Sequence, residues 1–120
     1  MWIYAQSTGR LYSPDGLKQV IGYSGAGQGK NNPTLEAIRN VGPIPRGMYV
    51  IGEAYESKRV GHHAIPLYPH NHTALTRTDF RIHGDSISAP GTASNGCVIL
   101  SRSCRERISS STDKLFLVIE

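Results

Sequence analysis

The sequence predicts a mainly β fold, a sandwich or meander of short strands with one or two short helices. Two observations lead to this prediction. Thirteen glycines and seven prolines divide a chain of 120 residues into short segments, which favours many short strands over long helices. Several of these segments are strand-like apolar runs, and the hydrophobic content of 38% is low but not that of a disordered chain. A chain of this length builds one core, so we expect a single domain over residues 1–120.

The first three strands are predicted to form a small meander. The turn sequences STG and PDG separate three strand-like runs, at residues 1–6, 10–13 and 17–23. The next segment, SGAGQGKNNP at 24–33, is predicted to be a long, flexible, Gly-rich loop. It is not a phosphate-binding loop, because Asn31 follows Lys30 where that motif requires Ser or Thr.

The rest of the chain is predicted to combine further strands with short helices. TLEAIRN at 34–40 is expected to form two helical turns capped by Thr34, and SRSCRERISSS at 101–111 a longer helix with a capping box from Ser103 to Glu106. Strands are predicted at 48–55, 63–69, 80–83, 97–100 and 114–120. Pro66 interrupts the strand at 63–69, which places that strand at a sheet edge.

Composition limits the classes of function. No apolar stretch approaches the roughly 18–20 residues that span a bilayer, and the N-terminus MWIYAQSTGR lacks the regions of a signal peptide, so we expect synthesis in the cytoplasm. The net charge of +4 indicates either an ordinary basic surface or attraction to an anionic polymer. A cell wall carrying free carboxylates fits the second interpretation. No nucleic-acid-binding signature is present, and no nucleic-acid partner is expected.

A histidine and a cysteine stand at the two ends of one loop, in FRIHGDSISAPGTASNGCVIL at 80–100. His83 ends one predicted strand, and Cys97 begins the next. A cysteine nucleophile needs a base to take its proton and N–H donors for the oxyanion that forms when a carbonyl is attacked. Gly96 lets the backbone turn beside the sulfur, and Gly84 leaves room beside the histidine. The alternative is a buried structural cysteine and a surface histidine.

Neighbouring residues have alternative interpretations. Asp85 is either a turn residue or the group that orients the His83 ring, and the Gly84 carbonyl is a second candidate for that orienting group. Ser94 is either a loop hydroxyl or a donor near the oxyanion. Cys104, one helical turn before Ile108, is expected in the core. It is not expected to form a disulfide with Cys97, because the intervening strand and helical turn separate the two residues.

Four further histidines, His62, His63, His70 and His72, raise the question of a metal site. The helical HExxH pattern is absent, and the segment around Pro66 and Pro69 has the composition of a loop. We interpret these histidines as exposed loop residues, with a metal site and a substrate-gating role as the alternatives. No metal and no cofactor are predicted.

The motif HGD…SNGC resembles the signature of the L,D-transpeptidases, the YkuD-type peptidoglycan enzymes. Their pattern is a His, a loop of variable length, and then Ser/Thr-His-Gly-Cys; His83, Ser94, Gly96 and Cys97 match it, and Asn95 departs from it. The chain is still more similar to the small L,D-transpeptidase-like effectors of bacterial type VI secretion systems. That similarity extends through STGRL, GYSGAGQGKNNP, GPIPRGMYVIG, FRIHGD and ASNGCVILSRSCRERI.

The resemblance implies a β-rich fold with Cys97 on the sheet, paired with His83. The implied substrate is the tetrapeptide stem of peptidoglycan. An L,D-carboxypeptidase would remove the terminal D-Ala and an L,D-transpeptidase would exchange it, both through a thioester on Cys97. Gly96, Ser94, Asn95, Gly84 and Asp85 would shape the site or its oxyanion donors. Candidate substrate-binding residues are Tyr23, Ser24, His72 and Arg46, the last for a stem carboxylate.

The resemblance also implies a biological setting. A type VI effector is secreted, acts in the periplasm of a target bacterium, and has a cognate immunity protein and a secretion-system carrier. We expect the protein to be a monomer. Two other classes of function stay open: a cell-wall-binding module without turnover, and a different cysteine hydrolase of the wall, an amidase or endopeptidase.

Overall fold

The computed structural model describes all 120 residues and is mainly β, as the sequence predicts. The strands are β1 (Trp2–Ala5), β2 (Arg10–Tyr12), β3 (Gln19–Ile21), β4 (Tyr23–Ser24), β5 (Gly47–Ile51), β6 (Tyr55–Ser57), β7 (Gly61–Pro69), β8 (Arg81–His83), β9 (Val98–Ile99) and β10 (Leu115–Ile119). One α-helix, α1, spans Arg102–Ser110, and three single 3₁₀ turns span Gly27–Gly29, Pro33–Leu35 and Ala74–Thr76. None of these helices has the length and apolarity needed to cross a membrane.

The strands form one continuous path in the order β3-β2-β1-β10-β5-β7-β8-β9-β4, with β6 paired to β7. The predicted N-terminal meander is confirmed, since β1, β2 and β3 are antiparallel neighbours. The two strands at the ends of the path, β3 and β4, are separated in the chain by Gly22 alone, so the sheet is nearly closed. A side chain at Gly22 would collide with the carbonyl oxygen of Ile99, which explains glycine at this junction.

The core is a cluster of 17 buried residues contributed by both halves of the chain. Tyr4 stacks on Phe116, with ring centroids 6.1 Å apart, where β1 and β10 run in parallel. The helix α1 adds Cys104 and Ile108, which are 3% and 0% exposed. The predicted core position of Cys104 is therefore confirmed. Both cysteines are free, so no disulfide joins Cys97 and Cys104.

Two predictions for the first half of the chain are wrong. The segment at 34–40 does not form two α-helical turns; only Pro33–Leu35 is helical, as a 3₁₀ turn, and Asn32 caps it through its side chain. The loop at 24–33 is closely packed, because Gly29 lies so near the Val41 carbonyl that no Cβ fits between them. A glycine-rich composition permits such a close approach as readily as it permits flexibility.

Two predictions for the second half are also wrong. The strand β7 is central and pairs with β5, β6 and β8. Pro66 is tolerated there because its carbonyl still accepts from the Gly52 N–H, at 2.9 Å. The helix α1 begins two residues earlier than the predicted capping box: Ser101, not Ser103, is the cap, and its hydroxyl accepts from the Cys104 N–H at 3.3 Å.

One strand pair positions the residues of interest. Strands β8 and β9 run in parallel, with Ile82 opposite Val98 and His83 opposite Ile99. Ile82 and Val98 are fully buried in the core. Because successive side chains of a strand point to opposite faces, His83 and the residue just before β9, Cys97, face away from that part of the core. The parallel register thus brings the two ends of the long loop to one place.

Candidate active site

Cys97 and His83 line one cavity of about 330 Å³. The wall around them includes Arg81 from β8 and the loop residues Asn95 and Gly96. The β8–β9 register therefore places both residues of the predicted pair on the wall of the same cavity.

Cys97 is half-buried at the foot of β9. Its thiol donates to the Asp79 carbonyl oxygen at 3.7 Å. Burial raises the pKa of the Cys97 thiol above its ordinary value, and the Arg81 N–H and guanidinium and the charge of Arg59 offset only part of that rise. At neutral pH the Cys97 side chain is therefore a thiol, which would need a base to become a nucleophile.

His83 is 3% exposed, and its Nδ1 lies 2.9 Å from the carbonyl oxygen of Gly84. A carbonyl only accepts, so Nδ1 carries the proton and Nε2 keeps the lone pair. Burial lowers the pKa of His83, and the nearby charges of Arg105 and Arg81 act in the same direction against the raising effect of the Gly84 carbonyl. The imidazole is thus neutral at neutral pH, which suits a general base.

Asp85 shapes the loop and does not touch the His83 ring. Its Oδ1 accepts from the Tyr23 hydroxyl at 2.5 Å and from the Ser86 N–H at 2.8 Å, and the Gly91 N–H lies 3.1 Å from both carboxylate oxygens. Of the two groups that the sequence offered for orienting His83, the structure places the Gly84 carbonyl against the ring.

Tyr23 lies beneath the loop and not inside the cavity. Its hydroxyl donates to Asp85 and accepts from the Ala93 N–H at 2.9 Å, so it joins the two sides of the loop. Burial, together with the Asp85 carboxylate, raises the pKa of Tyr23 to about 12, which keeps its proton in place at any physiological pH. The ammonium of Lys30 covers the ring at 4.2 Å from its centroid.

Two buried serines hold the turn that precedes Cys97. The Ser94 hydroxyl donates to the Cys97 carbonyl at 2.6 Å and accepts from the N–H groups of Gly25 and Gly96. The Ser24 hydroxyl donates to the Gly96 carbonyl at 3.1 Å and accepts from the Ile44 N–H. Both hydroxyls are therefore engaged in the scaffold, and Gly96 has no free N–H.

The backbone N–H of Cys97, unlike that of Gly96, donates no hydrogen bond within the loop. None of the hydrogen bonds of the loops and turns is donated by Asn95 or Cys97. The Cys97 N–H therefore stays available beside the sulfur. Asn95, the departure from the commoner motif, is exposed and lines the cavity.

Arg77 is a structural residue of the site that the sequence analysis missed. This arginine is 6% exposed, and its guanidinium donates to the carbonyls of Glu36, Pro43, Gly42 and Asn95 at 2.6–3.2 Å. It thereby ties the loop before β5 to the turn that carries Cys97. In the sequence, Arg77 is simply an arginine in a polar stretch just before a strand. A surface arginine has the same local pattern, so the pattern does not predict a buried structural role.

Replacing Gly96 by alanine should damage both the fold and the site. Gly96 has φ = +136°, and a Cβ there would overlap the Arg77 guanidinium. We expect Gly96→Ala to lower the free energy of unfolding by about 2–4 kcal/mol, from backbone strain together with the displaced arginine. The matched control is Gly16→Ala: Gly16 also has positive φ, +74°, but nothing lies within 4 Å of its Cβ position. Thermal melts that show equal losses for both variants would contradict this account.

The other predicted site residues lie elsewhere. Arg46 donates to Glu36 at 2.5 Å and pairs with Glu120, and it does not line the cavity. His72 has both ring nitrogens occupied, Nε2 near the Met48 carbonyl and Nδ1 by the Ala74 N–H. The structure therefore brings neither residue to Cys97.

Two of the remaining histidines, His62 and His63, lie in strand β7 and not in the predicted loop, and each has its own partner. His62 lies 2.5 Å from a Glu56 carboxylate oxygen, and His63 lies 2.7 Å from the Ser109 hydroxyl. Nowhere in the chain do three or more His, Cys, Asp or Glu side chains converge as metal ligands would.

The two cysteines should differ in reactivity in the native protein. Cys97 is half-buried in the wall of an open cavity, whereas Cys104 is 3% exposed within the core. We expect iodoacetamide to label Cys97 more than about tenfold faster than Cys104, with a rate that rises toward alkaline pH because the pKa of Cys97 is raised. Peptide mapping after timed quenching measures both rates. Equal labelling in the native state would overturn the placement of both residues.

Comparison with known proteins finds one family. A family model described as the Tlde1 domain matches residues 18–115, which is most of the chain and includes the whole cavity wall. No curated protein and no solved structure matches the chain.

Proposed function

The chain belongs to the Tlde1-domain family, and on that premise we propose that it is a peptidoglycan-modifying cysteine enzyme acting on tetrapeptide stems. The family match supports a type VI secretion effector, delivered into a target cell. The finer activity we propose is that of an L,D-carboxypeptidase, an L,D-transpeptidase, or both. The observation that carries it is the shared cavity of Cys97 and His83, with the His83 ring oriented by the Gly84 carbonyl.

In the first half of the reaction, Nε2 of His83 takes the Cys97 thiol proton as the sulfur attacks the carbonyl carbon that precedes the terminal D-Ala. A carbon–sulfur bond forms and the carbonyl electron pair moves onto oxygen. The tetrahedral intermediate then collapses, the carbon–nitrogen bond breaks, and His83 returns the proton to the departing amine. The products are free D-Ala and a thioester on Cys97.

The oxyanion of that intermediate needs donors close to the sulfur. The Cys97 N–H is suited to this role, because it makes no hydrogen bond within the loop. Ser94 and Gly96 support the turn and do not supply donors, since their polar groups are already paired.

The second half resolves the thioester. Water attacking with His83 as base gives a shortened stem and restores the thiol, which is the carboxypeptidase outcome. A D-amino acid amine attacking in the same way gives an exchanged stem, which is the transpeptidase outcome. Either reaction depletes the tetrapeptide donors used for cross-linking the wall.

Mass spectrometry of digested muropeptides tests the proposal. Purified protein is incubated with isolated sacculi, and the Cys97→Ala protein is the control. We expect loss of one D-Ala from tetrapeptide stems or its replacement by an added D-amino acid. A cut elsewhere in the stem would indicate another cysteine hydrolase, and unchanged muropeptides with retained binding to sacculi would indicate a binding module; either result contradicts the proposal.

Toxicity should depend on the compartment in which the protein acts. The proposed substrate lies outside the cytoplasmic membrane, so the protein fused to a periplasmic export signal should be toxic to the expressing cell. The unfused protein should be nearly harmless. Growth curves of both strains, with the exported Cys97→Ala protein as the control, measure the difference. Equal toxicity from the cytoplasm would contradict a wall substrate.

A further inference from the structure

The charged side chains that line the cavity are mostly positive. Four arginines line it, Arg39, Arg59, Arg77 and Arg81, and the only acidic residue among the lining side chains is Asp79. A cleft lined by one sign of charge concentrates ligands of the opposite sign. The ligand of this cavity should therefore be anionic.

Two of the arginines are already engaged. Arg77 donates to four backbone carbonyls of its own chain. Arg81 donates through Nε to the Tyr55 hydroxyl at 2.7 Å and through its fork to the Asp79 carbonyl at 3.4 Å. These two side chains build the wall and have little donor capacity left for a ligand.

The side chains of the other two arginines, Arg39 and Arg59, make no ion pair. Arg39 and Arg59 are exposed, and none of the ion pairs of the chain includes either of them. They come from different elements: Arg39 lies on the loop that Arg77 ties to the Cys97 turn, and Arg59 lies on the turn between β6 and β7. Arg59 lines the same cavity as Cys97, and its positive charge lowers the pKa of the Cys97 thiol.

We propose that Arg39 and Arg59 are the substrate-recognition residues of this cavity and that they bind free carboxylates of the peptide on either side of the scissile bond. The inference rests on the proposed function, because it takes the stem peptide as the ligand. A guanidinium fork matches a carboxylate in charge and in bidentate geometry. A tetrapeptide stem carries a terminal carboxylate on the leaving D-Ala and further carboxylates on the donor side, whereas an amidated stem lacks these charges.

The test combines two peptides with arginine variants. One synthetic tetrapeptide has free carboxylates, and the other has the same sequence with its carboxylates amidated. Each is assayed with the parent protein, Arg39→Gln and Arg59→Gln. Arg10→Gln is the matched control, since Arg10 is exposed and lies outside the cavity.

We expect the parent to prefer the free-acid peptide. Each cavity variant should lose about 10- to 100-fold in kcat/KM on that peptide, mainly through KM, and little on the amide. The Arg10 variant should match the parent on both. Equal losses on acid and amide, or a parent that does not distinguish the two peptides, would overturn the inference.

Binding separates this inference from the catalytic proposal. Calorimetry with the Cys97→Ala protein should show tighter binding of the free-acid peptide. An added Arg59→Gln change should reduce that preference, and Arg39→Gln together with Arg59→Gln should remove it. If the preference is present and neither peptide is turned over by the parent, the recognition is upheld and the catalytic proposal fails. If turnover occurs and the preference is absent, recognition by these arginines is excluded.

Discussion

Cys97→Ala should abolish turnover of tetrapeptide stems, with a loss on the order of 10³–10⁶ in rate. Thr78 is the only other cavity-lining residue with a thiol or hydroxyl, and its hydroxyl donates to the Asp79 carboxylate at 3.4 Å. Outside the cavity, Cys104 is buried in the core on α1, and the hydroxyls of Ser24 and Ser94 are engaged with the backbone. The fold should survive, because alanine keeps the Cβ and removes only the sulfur, whose neighbours are the Asp79 carbonyl at 3.7 Å and Arg81. Muropeptide analysis and a thermal melt measure the two effects separately.

Cys104→Ala is the matched control for this variant. It trims a side chain that is 3% exposed and packed in the core with Ile108, so it should cost about 1 kcal/mol in unfolding free energy and little activity. The two cysteine variants should thus show opposite patterns. Activity of Cys97→Ala within about tenfold of the parent would remove Cys97 as the nucleophile.

His83→Gln should lower the rate by about 10²–10⁴-fold, the usual contribution of a general base. Glutamine can still donate to the Gly84 carbonyl but cannot take the thiol proton, so the backbone around β8 should be preserved. Asp85→Asn tests whether a second residue near the His83 loop is needed for activity. Because Asp85 contacts Tyr23 and the loop backbone and not the imidazole, this variant should keep activity within about tenfold of the parent.

The pH profile distinguishes a base from a structural histidine. As the proposed base, His83 acts when it is neutral, and its lowered pKa means that it becomes neutral at a lower pH than an ordinary histidine. The acid limb of kcat/KM should therefore have its midpoint below about 6.5, the usual histidine value. Loss of this limb in His83→Gln would support the assignment. A parent midpoint well above 6.5, or an unchanged limb in the variant, would contradict it.

The parts of the molecule that depend on local sequence were predicted well. Strands β1, β2, β8 and β10 follow from short apolar runs bounded by Gly, Pro and polar turns. The placement of Cys104 follows from its spacing to Ile108 on a helix. Some errors arose from partners distant in the chain: the Pro66 carbonyl pairs with the Gly52 N–H, and Gly29 packs against Val41. The errors at the helix starts are local, since Asn32 and Ser101 are the caps and not Thr34 and Ser103.

By itself the sequence determined the mainly β class and the positions of His83 and Cys97 at the ends of two strands, because a strand end is a local property of the chain; that these two strands pair in parallel was decided by the tertiary structure. Only the tertiary structure decided which groups surround them. It placed the Gly84 carbonyl against His83, tied Asp85 to Tyr23, bound Arg46 to Glu36, and brought Arg77 onto the Cys97 turn. The physical reason is that most of these hydrogen bonds and ion pairs join residues distant in the chain. Their partners are selected by strand register and burial, which no local pattern contains.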